Sequence, residues 1–284
     1  MRFLKWLFVG AVAAAVATLS SGGAFAGPVF LTGHDPDFHS QAGFGSGANL
    51  LEVGLNFATS GNANTFSGKV LWIESKGSIP GGHLRGADGL NAIGLAAGTD
   101  YDWVDAAEFT ALMNSDISAY SAIGVASSFG GTLRRAELDA LISRSDDIKA
   151  FINAGGGLFA SSECFPCGGN LLAGGTAPDL FGYLPIDVTS VGANAPFTPT
   201  AFGLSLGLTA ADLNDPTHNS FGETGGLNVV DLDSAGRATT LAGIVMIDDG
   251  GFIPVPEAPV LGLLASGAVS LFAFGRINRR KSHR

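Results

Sequence analysis

Three short apolar runs, "KVLWIE" at 69–74, "SAIGVASS" at 121–128 and "LFAS" at 158–161, each follow a stretch with helical spacing. That alternation constrains the fold more than any other feature of the chain. A run of four to eight apolar residues bounded by polar or glycine-rich turns reads as a buried strand. Strands that alternate with helices build a parallel sheet covered by helices on both faces.

The helical stretches come from the same reading. "GANLLEVGLNFA" at 47–58 fits both a helical face through Leu50, Leu51, Gly54, Leu55 and Ala58 and a strand alternation, and its length favours the helix. Residues 106–113 predict a second helix. Residues 134–157 predict helix, break and helix, with Gly155 as the left-handed cap that stops the last. A short apolar segment at 29–32 supplies the first strand. Past Gly168 the chain turns Gly- and Pro-rich, with apolar runs at 181–188, 227–231 and 240–246 that fit later strands or edge hairpins of the same domain. The expected fold class is therefore α/β, three-layer, with a mostly parallel sheet of flavodoxin-like type.

Ligands of an open parallel sheet collect at the carboxyl ends of its strands. Here those ends are the loop 34–39, Glu74-Ser75, Ser127-Ser128 and the stretch 161–164. The loop "GHDPDFH" places His34, Asp35, Asp37 and His39 within six residues, donors that suit zinc, calcium or another divalent ion. Its spacing matches neither a zinc helix nor a calcium loop. The other reading is that Asp35-Pro36 begins a turn, the aspartates accept backbone amides and the histidines satisfy buried hydrogen bonds. Asp102, Asp105 and Glu108 fit a strand end and helix N-terminus, where acids favour the dipole. "IPGGHLRGADG" lacks the Lys-Ser/Thr of a phosphate loop, and His83 reads as a surface residue.

"IKAFINAGGGLFASSEC" and "YSAIGVASSFGG" resemble the class I glutamine-amidotransferase-like fold, in which a strand delivers a nucleophile at a tight elbow. The resemblance covers roughly 29–163 and implies an α/β body. It aligns Ser162 with the family's nucleophilic cysteine. His218 in "DPTHNSF" would be the base, but Ser220 stands where the family's His-x-Glu pattern has glutamate. Ser162, Glu163 and His218 are the candidate hydrolytic set. Glu163 also suits a buried structural carboxylate.

The compartment is legible at the N-terminus. Arg2 and Lys5 precede an apolar run at 6–19, and Ala24-Phe25-Ala26 offers a small-x-small cleavage pattern, so residues 1–26 are expected to be a signal peptide. The exported domain then spans 27–252. Cys164 and Cys167 enclose only Phe165-Pro166, and after export a local disulfide is the expected state. The body holds eight basic and 24 acidic residues, a balance of −16 that repels phosphate backbones and excludes nucleic-acid binding.

The closing stretch, 253–284, carries three ordered parts. Val255-Pro256-Glu257-Ala258-Pro259 is followed by an apolar run through about 275, and then by Arg276, Arg279, Arg280, Lys281 and Arg284 at 276–284. It resembles a PEP-CTERM sorting signal, with Ala258 standing where the family most often has proline. A transmembrane helix is expected at about 258–275, with the basic tail held in the cytoplasm. The resemblance implies a membrane-anchored precursor with its body outside the cytoplasm. Signal peptidase would act at one end and an exosortase-type membrane transpeptidase, reading Val255, Pro256 and Glu257, at the other. The product would pass to the cell surface or to extracellular polysaccharide.

Overall fold

The computed structural model describes residues 25–41, 46–61, 68–115, 117–128, 130–161, 180–185, 191–213 and 219–255. In chain order the elements are β1 (Gly27–Thr32), α1 (Pro36–His39), α2 (Ala48–Thr59), β2 (Lys69–Ile73), α3 (Gly86–Ala92), β3 (Tyr101–Val104), α4 (Ala106–Met113), β4 (Tyr120–Val125), α5 (Arg135–Ser143), α6 (Ser145–Asn153) and β5 (Gly157–Ser161). Then come β6 (Val191–Gly192), β7 (Thr198–Pro199), α7 (Ala201–Ser205), β8 (Asn219–Ser220), β9 (Asn228–Leu232), β10 (Ala238–Asp248) and β11 (Gly251–Pro254).

The main sheet runs β3-β2-β4-β5-β1-β10-β9-β7, with β11 also on β10, and β6 pairs only with β8. The first five strands of that order are parallel. From β1 outward the pairing with β10, β9, β7 and β11 is antiparallel. The chain is thus mixed α/β with a parallel core and an antiparallel wing.

Crossover direction sorts the helices. The steps from β1 to β2 and from β2 to β3 move toward the β3 edge, and α1, α2 and α3 touch one another. The steps from β3 to β4 and from β4 to β5 move the opposite way, and α4 packs on α5, which packs on α6. Crossovers of one hand that move in opposite directions lay their helices on opposite faces, so the order is compatible with three layers. Local signals agree with this placement. Asp105 Oδ1 accepts from the amides of Ala107 and Glu108 while Glu108 Oε2 accepts from Asp105 N, so a capping box starts α4.

The core has a register of its own. Trp72, Gly124, Phe159 and Phe30 stand side by side on β2, β4, β5 and β1. Trp72 and Phe159 stack at 6.1 Å across the gap that Gly124 leaves, and Phe159 stacks on Phe30 at 6.0 Å. A Cβ at position 124 would stand 2.5 Å from Trp72 Cε3, closer than packed carbons approach. Gly124→Ala is therefore expected to destabilise the domain by roughly 1–3 kcal/mol, read as a lower urea midpoint with unchanged slope.

One expectation changes. The apolar run at 181–188 forms turns over 180–185 rather than a strand, and 186–188 lie outside the described residues. Among the described residues no helix is long and apolar enough to cross a membrane; the span expected at about 258–275 lies outside them.

Candidate functional site

The strand order reverses between β2, which leads to β3 on one side, and β4, which leads to β5 on the other. In open α/β sheets such a switch point opens the crevice that takes ligands. At this one the chain places Glu74 and Ser127, and the loop after β1 brings Asp37 across to meet them.

Glu74 follows β2 and is fully buried. Its Oε1 accepts from Gly86 N at 2.6 Å, Thr132 N at 3.2 Å and Thr132 Oγ1 at 2.6 Å. Its Oε2 accepts from Ala87 N at 2.9 Å and Trp72 Nε1 at 3.2 Å. Two of these donors are the first amides of α3, which lack partners within the helix. One carboxylate therefore ties together β2, the start of α3 and the loop after β4.

Asp37 is equally buried, and its Oδ2 accepts from Ser127 N at 2.9 Å. Its Oδ1 has no hydrogen-bond partner among the described residues. Burial pushes its carboxyl up to about 7; the Ser127 amide opposes that rise and the charge of Glu74 adds to it. Ser127 Oγ accepts in turn from Gly131 N at 2.9 Å, so Ser127 is held from both sides. Outside this centre the Arg85 guanidinium donates to the carbonyls of Ser75 and Gly77 and lies 4.8 Å from the Trp103 ring centre. That contact closes the loop after β2.

His34 turns the other way, toward the antiparallel wing. Its Nε2 lies 3.0 Å from Asp231 Oδ2, which also accepts from Thr239 Oγ1 at 2.7 Å. His34 N donates to Thr32 Oγ1, itself 3.0 Å from Thr240 Oγ1. His39 Nε2 stands 3.3 Å from Asp35 Oδ1, the residue just before α1.

The four loop residues thus reach three separate partners: His34 goes to Asp231, Asp37 to Ser127, and His39 to Asp35. Among the described residues no three His, Cys, Asp or Glu side chains are grouped so as to hold a metal ion. The four side chains of the metal expectation, His34, Asp35, Asp37 and His39, do not form such a group. Pro36 opens a short helix along which His39 turns back to Asp35 while Asp37 goes to Ser127 and His34 to Asp231, so closeness in sequence does not become convergence of all four.

Ser162, Glu163, Cys164, Cys167, His218, Pro256 and Glu257 lie outside the described residues. Two of their described neighbours reach the same strand end. Ser161 pairs with Thr32 in the sheet, and Asn219 N donates to Gly33 O at 3.1 Å, so the residues beside Ser162 and His218 both abut the end of β1. Asp231, Thr132 and Thr239 were not picked out from the sequence as parts of the site. Asp231 closes the apolar run at 227–231, and an acid at the end of a buried strand is the signal that could have found it.

No protein-family model, curated protein or solved structure matches this chain.

Proposed function

We propose that this chain is an exported bacterial surface or extracellular-matrix protein, delivered by a PEP-CTERM/exosortase route, whose α/β body does no catalysis. The observation that carries the second half is the state of the switch point: Glu74 is saturated by five donors and buried, so the groups that a substrate would need already hold loops together. The first half rests on the ordered signals at the two ends of the sequence: a cleavable leader at 1–26 and a tail in which Val255-Pro256-Glu257 precedes an apolar run and a basic terminus. In this reading signal peptidase and an exosortase-type transpeptidase are the processing partners, and extracellular polysaccharide is the setting in which the product works.

Counted from β2, the order β3-β2-β4-β5 follows the 2-1-3-4 start of a flavodoxin-like sheet, with β1 in the fifth place. That order supports kinship with the class I amidotransferase-like architecture.

Fractionation of the producing cell tests delivery. Wild type is expected on the surface or in the medium, and Glu257→Ala in the membrane fraction. An identical distribution of the two would count against the route.

A second reading, an exported hydrolase or carbohydrate-active enzyme, draws on the approach of Ser161 and Asn219 to the end of β1. Its candidates are Ser162, Glu163 and His218. Assays of the purified body on ester, amide and glycoside probes are expected to give no turnover. Turnover lost in both Ser162→Ala and His218→Ala would replace the first reading with this one.

A further inference from the structure

The last described strand leads straight into the sorting motif. β11 lies antiparallel on β10, pairing Gly251 with Asp248, Phe252 with Ile247, Ile253 with Met246 and Pro254 with Val245. The ladder continues one residue further, because Val255 N donates to Ile244 O at 3.0 Å. Val255, the first residue of the motif, is thus the fifth residue zipped onto β10. Pro254 and Pro256 on either side of it have no amide hydrogen, so the Val255 amide is the last donor the ladder has before the motif continues.

The hairpin is also fastened to the body. Asn153 at the end of α6 makes a two-way bond with Ile247, donating to its carbonyl and accepting from its amide at 2.7 Å each. Lys149 of α6 pairs with Asp249 in the turn. Phe252 is only 9 % exposed, so its ring seats the strand. β9 covers β10 over residues 238–242 and β11 covers residues 245–248, so the two share one edge of β10 end to end.

Enzymes that cut or transfer peptides commonly take the substrate as an extended strand, using the same backbone groups that a sheet edge uses. Residues 252–255 cannot serve β10 and an enzyme cleft at once. We propose that β11 is a strap that restrains processing of the tail: the chain around Val255-Pro256-Glu257 becomes a substrate only when β11 unzips from β10. This regulation rests on the sorting reading above, but the strap makes a physical claim of its own, that unzipping limits attack on the chain.

A cross-strand disulfide tests it. Ile247 and Phe252 face one another in the non-hydrogen-bonded register of the ladder, since the Ile247 amide and carbonyl turn to Asn153 instead, and in that register opposed side chains come closest and suit a disulfide. In Ile247→Cys/Phe252→Cys, limited proteolysis of the purified full chain by a nonspecific protease is expected to cut within 252–259 at least tenfold more slowly in the oxidised form than in the reduced form. Reductant should restore the rate. Phe252→Ala, which unseats the strand, should speed the cut several-fold. In the producing cell, the stapled variant should accumulate with its tail attached.

A staple that leaves the proteolysis rate unchanged overturns the strap. Slowed proteolysis in vitro with unslowed tail removal in the cell also overturns its regulatory role. Failure of the delivery reading looks different: Glu257→Ala would then be processed like wild type while the staple still slowed the nonspecific protease.

Discussion

Glu74→Ala is expected to cost the domain roughly 3–5 kcal/mol, because it removes the one acceptor of five buried neutral donors. The substitution strands the amides of Gly86, Ala87 and Thr132, the Thr132 hydroxyl and the Trp72 indole N–H, all of which now end on one carboxylate. A buried donor without a partner costs about 1–3 kcal/mol, but water entering the space that Glu74 vacates would recover part of the five-fold sum. Glu74→Gln should fall between wild type and Glu74→Ala: one oxygen still accepts, while the new amide group turns hydrogens toward donors. Urea unfolding checks the order of the three proteins. If Glu74→Ala were as stable as wild type, Glu74 would not be the tie between β2, α3 and the loop after β4.

Asp37→Asn is expected to act in the opposite direction and to change the pH dependence. The Asp37 carboxyl rises on folding from 3.8 to about 7, chiefly because it is buried, with the Ser127 amide opposing and Glu74 reinforcing. Between those values the folded chain binds the proton and the unfolded chain does not, so stability falls as pH rises through the window. Below about 4 the penalty is absent, and above about 7 it is complete. A rise of about three units corresponds to roughly 4 kcal/mol. Asparagine keeps an oxygen for Ser127 N and has no charge to bury. Its additional amide hydrogen costs roughly 1–3 kcal/mol if unpaired, which leaves a net gain at pH 8. Stability of Asp37→Asn should therefore exceed wild type at pH 8, fall level with or below it near pH 4, where wild type no longer carries the penalty, and lack the decline between. The two sites are coupled through charge: with Glu74 replaced, the midpoint of the wild-type decline should move to lower pH, because the carboxylate that raises Asp37 is gone.

Much of the frame was legible because periodicity carries it. Residues 106–113 are a helix as expected, residues 47–58 fall on α2, and the runs at 69–74, 121–128 and 158–161 hold β2, β4 and β5. Helix α3 was not legible, since "GADGLNA" spends two of its seven residues on glycine, the poorest helix former after proline. The structure supplies the reason. A Cβ on Gly86 would stand 2.5 Å from Asp37 Oδ2, and one on Gly89 would stand 2.1 Å from Asp37 O. The helix gives up propensity so that the loop after β1 can lie against it. The turns at 180–185 show the converse, because an apolar run states that a segment is buried without stating its backbone form.

The site was legible as a place more than as a chemistry. The strand ends named from the sequence do come together at Glu74, Ser127 and Asp37. Partner choice was not readable: His34 finds Asp231 some 197 residues away, and no local spacing encodes a pairing across two sheet neighbours. The reading of the same loop as a turn whose aspartates accept amides fits Asp37, and His34 and His39 meet carboxylates as the buried-histidine half of it requires.

The account stands or falls on delivery, and the intact mass of the chain recovered from the cell surface tests it most directly. The expected species begins at Gly27 and ends within 255–259, lacking the apolar run and the basic terminus. A surface species that retains Arg284 would contradict it.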